Sequence, residues 1–228
     1  MYILAGLPFI APDYSSAWLL KDVQMGYLQE KFAKKGLMIL YTSPWPGQGF
    51  YTKSPVNSVA DFKGKKLRIY STATQQMGSM LGFNATILPF AEIPQAFSTG
   101  LIEALFTSPQ TGIDIQAWDN TKHFTYAGAI FSKNAVVVSK KAFNALSKDD
   151  QSNILAAAKK AELRGWEMSA ETTKKQIDIL KKNGMSAKNA PDEVISKMKS
   201  IGLEMMKSWR SKASPEANAV LDRYLSMR

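Results

Sequence analysis

Cysteine is missing from all 228 residues, which excludes disulfides, thiolate metal sites and a cysteine nucleophile. Histidine occurs once, at His123. A metal centre would have to be built from carboxylates, and no calcium-loop spacing accompanies them, so His123 is read as structural. The nucleophile-elbow, phosphate-loop and dinucleotide-fingerprint patterns are also absent, which leaves little from which to assemble catalytic machinery. Glu92 and Glu103 could be imagined as paired carboxylates. Glu92, however, begins a helix-length segment, where free N–H groups favour an acidic side chain, and capping accounts for it better. The expectation is a protein that is not an enzyme and takes no cofactor and no metal. No stretch reaches the roughly 18 consecutive apolar residues of a membrane span. The first residues, MYILAGLPFIAPDY, carry neither a basic region nor a small-residue cleavage site, so they are not a signal peptide.

Positive charge is what the sequence has in excess. A net charge of +10 would suit nucleic acid, an acidic membrane surface or an anionic ligand. The lysines are nevertheless spread along helix-length segments and interleaved with Asp and Glu, the pattern of solvated helical faces rather than of a basic block. No zinc, helix-turn-helix or RNA-reading motif accompanies the aromatic residues. A basic nucleic-acid-binding module therefore stands as the alternative, and nucleic acid is not the expected partner.

Asp61–Trp118 organises the chain. Lys66–Tyr70, Ala85–Leu88 and Ala104–Phe106 are short and apolar enough to be buried strands, and Ala73–Leu81 and Glu92–Thr99 repeat apolar residues at helical spacing. The order β-α-β-α-β predicts a parallel sheet covered on its faces, with any ligand outside the carboxyl ends of the strands. Arg68 falls inside the first strand, where an unpaired cation is costly to bury, so it either snorkels to water or meets an anion. Tyr70, two residues on, shares its face of the strand. Thr107 and Ser108 follow the third strand, where a mouth-facing loop is expected.

Upstream, Tyr2–Leu4 is a short strand candidate, ended by Leu7-Pro8-Phe9. Ser15–Lys35 repeats apolar residues at helical spacing, with Gly36 as its stop. Leu37–Tyr41 is a buried-strand candidate followed by a loop, Thr42–Tyr51, rich in Pro, Gly and aromatic residues. That loop, with Trp45 and Gln48, either packs its rings beside a hinge or forms a ligand-facing wall. Ser58–Phe62 predicts a helical turn and Gly64 a tight turn into the next strand. Downstream, Gly112–Trp118 reads as a helix with Trp118 in the core, and His123–Ala129 and Asn134–Ser139 read as strands. Asn134, at the entrance of the second, suits a turn on its own. Ser147 and Asp150 resemble a capping box. The helix they open runs to Asn183-Gly184, and about 35 residues at 1.5 Å rise give on the order of 50 Å, enough to span two lobes or reach a partner chain. Met185–Lys188 is a further strand candidate, and helices follow from Pro191 and over Ser214–Met227.

The run from Pro55 through Lys140 resembles the periplasmic solute-binding subunit of TRAP transporters, the DctP-like family. Asp61-Phe62-Lys63-Gly64-Lys65-Lys66-Leu67-Arg68 matches the family's D-x-K-G-x-K-x-R, followed by Met80-Leu81-Gly82, Pro89-Phe90-Ala91-Glu92 and Gln95-Ala96-Phe97-Ser98-Thr99-Gly100. Four motifs in one order are far more specific than any one. The resemblance extends to nearly the whole chain but begins partway into the family's usual length, which implies an N-terminally truncated chain without its signal peptide. It implies an α/β fold of the two-lobed periplasmic-binding-protein type, with parallel-rich sheets and a long C-terminal helix spanning the lobes. Residues 1–42 would be the remainder of the N-terminal lobe, 43–133 the second lobe, and 134–228 the return strand, the spanning helix and the C-terminal helices.

The same resemblance implies a periplasmic protein, monomer or homodimer, that captures an organic acid anion (a sugar acid, keto acid or dicarboxylate) and delivers it to the TRAP membrane permease. Arg68 would pair with the ligand carboxylate through a planar fork that lysine cannot copy. Phe90 would be an apolar wall, and Gln48, Asn134 and either Thr107 or Ser108 would be polar contacts, with Trp45 and Tyr70 as further ligand-facing candidates. Sialic-acid-binding members carry a second arginine at the position of Gln48, so its absence here argues against that ligand.

Overall fold

The computed structural model describes residues 2–228. Its strands are β1 (Leu37–Pro44), β2 (Gly49–Thr52), β3 (Lys66–Ile69), β4 (Asn84–Ile87), β5 (Ala104–Thr107), β6 (His123–Tyr126), β7 (Lys133–Ser139) and β8 (Ser186–Asn189). Its helices are α1 (Tyr14–Ala33), α2 (Thr72–Met80), α3 (Ile93–Ser98), α4 (Pro109–Asp114), α5 (Lys140–Asn144), α6 (Lys148–Lys182), α7 (Asp192–Lys212) and α8 (Pro215–Met227).

Two sheets divide the fold. The first is the antiparallel pair β1–β7, in which Ser43 lies opposite Asn134 and Pro44 opposite Lys133. The second has six strands in the order β4-β3-β5-β2-β6-β8. The pairs β3–β4, β3–β5 and β6–β8 are parallel, whereas β2 runs antiparallel to both neighbours. The predicted β-α-β-α-β unit is therefore present as β3-α2-β4-α3-β5, with β3 in the middle of its three strands.

Side-chain alternation explains how the larger sheet acquires a core on each face. Phe50 of β2 and Phe106 of β5 pack into one cluster with Phe62 and Phe83, their rings 4.6 to 5.7 Å from that of Phe50. Tyr51 and Leu105, the next residues in register, fall into the opposite cluster with Phe124, Ile93 and Leu180. Each fully buried ring contributes about 1.5–3 kcal/mol of burial energy. α7 and α8 close the first face through Met198, Ile201, Leu221 and Tyr224.

α6 starts at Ser147, whose Oγ accepts from the Asp150 N–H at 3.1 Å, and runs for 35 residues. Along its first half the Glu162 carboxylate accepts from the Thr42 N–H at 2.8 Å and the Thr42 hydroxyl at 2.7 Å, and Trp166 Nε1 donates to the same hydroxyl at 3.2 Å. Further on, Gln176 Nε2 donates to Gln110 Oε1 of α4 at 2.9 Å, and Leu180 enters the core of the six-stranded sheet. One helix thus grips both sheets, as the expected spanning helix does.

Five local expectations need correction. Tyr2–Gly6 is a 3-10 turn instead of a strand; it seats Leu4 in the core, and no strand pairs with it among the described residues. β4 is an edge strand with mostly exposed side chains rather than a buried one. The expected loop over Thr42–Tyr51 shrinks to residues 45–48, because β1 runs on to Pro44 and β2 takes up Gly49–Thr52 with every residue buried. The helix predicted over Gly112–Trp118 begins earlier, at Pro109, and is broken by Gln116 at φ 51° before a 3-10 turn at Ala117–Asp119. Glu92 makes no cap hydrogen bond to α3 and is exposed.

Candidate ligand-binding cleft

A cleft of about 960 Å³ opens where the carboxyl ends of β3 and β5 meet β1 and β7. It is lined mainly by apolar atoms, and all eight residues singled out from the sequence lie along it: Arg68, Tyr70, Gln48, Trp45, Phe90, Thr107, Ser108 and Asn134. The local reasons differ from residue to residue.

Arg68 is carried by β3 and is 4% exposed, so it does not snorkel to bulk water. Its Nε donates to the Leu88 carbonyl at 3.0 Å, which fixes the plane of the guanidinium. The two terminal nitrogens have no acceptor among the described residues, and no carboxylate forms an ion pair with them. Burial pulls the guanidinium's pKa below its ordinary value, with Tyr70 acting in the opposite direction. A cation held in this way is electrostatically unfinished.

Beyond Arg68 the chain turns into α2. Ser71 caps that helix by accepting from the Thr74 N–H at 3.2 Å, and the Thr74 hydroxyl accepts from the Ser71 N–H at 3.2 Å. Ser71, Thr72 and Ala73 line the cleft, so the positive end of the α2 dipole faces the same space as Arg68. The sequence signal for this was the Ser-Thr pair ahead of a helical repeat, which the Ala73 start passed over.

Tyr70 and Gln48 meet inside the cleft. The Tyr70 hydroxyl donates to Gln48 Oε1 at 2.8 Å, and Gln48 Nε2 donates to Ser132 Oγ at 3.0 Å. Desolvation pushes the Tyr70 phenol up to about 12; it is protonated at neutral pH. Gln48 is also held through its backbone, its carbonyl accepting from the Gly128 N–H at 2.9 Å.

The corner after β5 separates its two hydroxyls. Ser108 caps α4, its Oγ accepting from the Thr111 N–H at 3.2 Å, while the Thr107 hydroxyl has no hydrogen-bond partner among the described residues. Both are buried. Gly112 lets α4 approach β2, because a Cβ there would run into the Tyr51 hydroxyl. Phe90, in the turn after β4, is half exposed and overhangs the opening, and Trp45 and Asn134 stand on the β1–β7 side. Asn134 is solvent-exposed at the cleft edge.

Ser132 and Lys133, which no sequence signal marked, also line the cleft. Lys133 is buried, its ammonium donating to Gln24 Oε1 at 3.2 Å. Burial, with repulsion from Lys21, draws its pKa down to about 8. Among the described residues no group of three or more His, Asp or Glu side chains is placed to hold a metal ion, and no helix is long and apolar enough to cross a membrane.

The comparisons agree with one another. The family model for bacterial extracellular solute-binding protein, family 7, matches residues 1–212. Two Bordetella pertussis extracytoplasmic solute receptors that bind pyroglutamic acid, DctP7 and DctP6, superpose with TM-scores of 0.93 and 0.94 at 38% and 35% identity. They cover 96% and 98% of this chain, which spans 72% and 74% of theirs. The 2,3-diketo-L-gulonate-binding periplasmic protein YiaO of Escherichia coli is 26% identical over 80% of this chain and 56% of its own length. The chain thus spans about half the length of the curated relatives it matches. With a family match over most of its residues and the two-lobed α/β architecture of those receptors, the chain belongs to family 7 of the bacterial extracellular solute-binding proteins, the DctP family.

Proposed function

We propose that this chain is the solute-capturing part of a TRAP-type receptor outside the cytoplasm, holding the carboxylate of a small organic acid on Arg68 and handing the acid to a membrane permease. The observation that carries this reading is a buried guanidinium that lines the cleft, is oriented by the Leu88 carbonyl and has no acid partner among the described residues. A carboxylate accepting both parallel N–H bonds would complete it. Desolvating that pair costs several kcal/mol, which the fixed fork, the α2 dipole and the Thr107 hydroxyl together help offset. Ligand contacts made from both sides of the cleft would favour a closed arrangement of the two lobes.

Two points narrow the acid. The cleft wall is mainly apolar, which suits a compact ligand with one strongly anionic end. Receptors at 38%, 35% and 32% identity are described as binding pyroglutamate, a small ring acid with a single carboxylate. Pyroglutamate is therefore the first candidate, ahead of sugar acids, keto acids and dicarboxylates. Titration calorimetry with that panel tests the reading, using the uncharged primary amide of each acid as control. Saturable binding of at least one acid, with its amide bound far more weakly, is expected. Equal affinity for acid and amide would remove the arginine–carboxylate pair from the mechanism. A gel shift whose affinity falls steeply with salt would instead favour the nucleic-acid alternative.

A further inference from the structure

The Tyr70 hydroxyl has one proton and two lone pairs, and the structure accounts for the proton. The proton goes to Gln48 Oε1 at 2.8 Å. Gln48 cannot easily release it, because its Nε2 is bonded to Ser132 Oγ at 3.0 Å and its carbonyl accepts from the Ala127 and Gly128 N–H groups at 3.3 and 2.9 Å. The three side chains form a line of hydrogen bonds, Tyr70 to Gln48 to Ser132, that links the end of β3, the 45–48 segment and the residue before β7. What the phenol has left for a ligand is its lone pairs. Tyr70 shares its strand face with Arg68, and both line the cleft.

We propose that Tyr70 is a specificity-determining residue that, beside the carboxylate on Arg68, accepts a hydrogen bond from an N–H or O–H of the ligand. It would thereby select lactam and α-hydroxy acids over lactones and α-oxo acids. This rests on the organic-acid reading above and goes beyond it by stating which group must neighbour the carboxylate. A ligand that presents an oxygen acceptor at that place sets lone pair against lone pair in a desolvated site. Neither partner is then satisfied, which is the situation in which a binding site discriminates most strongly. The raised pKa of Tyr70 agrees with this, since a phenol that stays protonated keeps its bond to Gln48 at neutral pH.

The test uses matched acids on the 228-residue chain, read by titration calorimetry. One pair is L-pyroglutamate and its lactone isostere, in which a ring oxygen replaces the N–H; the other is an α-hydroxy acid and the corresponding α-oxo acid. The donor-bearing member of a pair should bind at least about tenfold more tightly. In Tyr70→Phe that ratio should fall towards one while the carboxylate is still bound. If the wild type holds the lactone or the α-oxo acid as tightly as its partner, this inference is overturned and the organic-acid reading stands. If no acid binds at all, both are overturned. The wild-type comparison needs no variant, so a poorly folding Tyr70→Phe would not spare the idea.

Discussion

Replacing Arg68 by methionine should separate binding from stability. The guanidinium is buried, donates a hydrogen bond to the Leu88 carbonyl and has no carboxylate partner among the described residues. Losing that charge-assisted bond costs about 1.5–3 kcal/mol. Removing an uncompensated buried cation returns several kcal/mol, so the balance is near zero or favourable. With ligand the sign reverses. Truncating one partner of a buried, hydrogen-bonded charge pair costs about 2–5 kcal/mol, a weakening of roughly 30-fold to several-thousand-fold in Kd. Thermal unfolding with and without acid, next to calorimetry, reads both quantities; for a chain of this size 1 kcal/mol is about 2–4 °C in Tm. The expected result is a ligand-free Tm equal to or above that of the wild type, with acid binding lost. A ligand-free Tm lower by ten degrees would show that Arg68 is held by a structural partner, and wild-type affinity in the variant would refute the pairing outright.

Three further outcomes follow from the same coordinates. Lys133, drawn from the ordinary 10.5 down to about 8, binds its proton less tightly folded than unfolded, so its effect on stability rises from about pH 8 to pH 10.5. Lys133→Met should therefore be more stable than the wild type at pH 7, by up to on the order of 3 kcal/mol, and the gap in urea midpoints should close by pH 10; an unchanged gap refutes it. Burial opposes ionisation of Glu162, yet the bonds from Thr42 and Lys21 hold its pKa below the usual carboxylate value. Its stabilisation is complete above the pKa of a free glutamate and is lost as pH falls through the lowered one, and Glu162→Ala should cost about 2 kcal/mol at pH 7, with the difference from wild type shrinking as the carboxylate is protonated. Gly112→Ala drives a methyl into the Tyr51 hydroxyl and should cost about 1–3 kcal/mol in chemical denaturation. Tyr51→Phe in the same chain should recover part of it, and no recovery would place the strain elsewhere.

The parts of the fold that were readable locally are those whose signal is local. β3, α2 and β5 lie within one or two residues of their predicted bounds because an apolar run, a helical repeat and a turn residue each marks itself. Gly36 and Gly64, at φ 71° and 74°, stop and turn the chain where expected because the left-handed conformation is easy only for glycine. The burial of β4 was misjudged, since Ala85–Leu88 is as apolar as a central strand and its place at the sheet edge is set by its neighbours. Phe50 and Tyr51 looked like loop aromatics because Pro and Gly surround them; they became core when β2 slotted antiparallel between β5 and β6.

Residue chemistry along the chain settled that Arg68 would need an anion or an exit to water, that carboxylate recognition was within reach and that thiol chemistry was not. Those conclusions depend on side-chain type and strand period alone, which any sequence displays. Pairing between distant segments decided the rest. β8 returned to extend the sheet beside β6, Gln48 met the Tyr70 hydroxyl from 22 residues away in sequence and Ser132 from 84, and Lys133 lost its water to α1. Hydrogen-bond satisfaction and desolvation are properties of enclosed space, and only the folded chain encloses any.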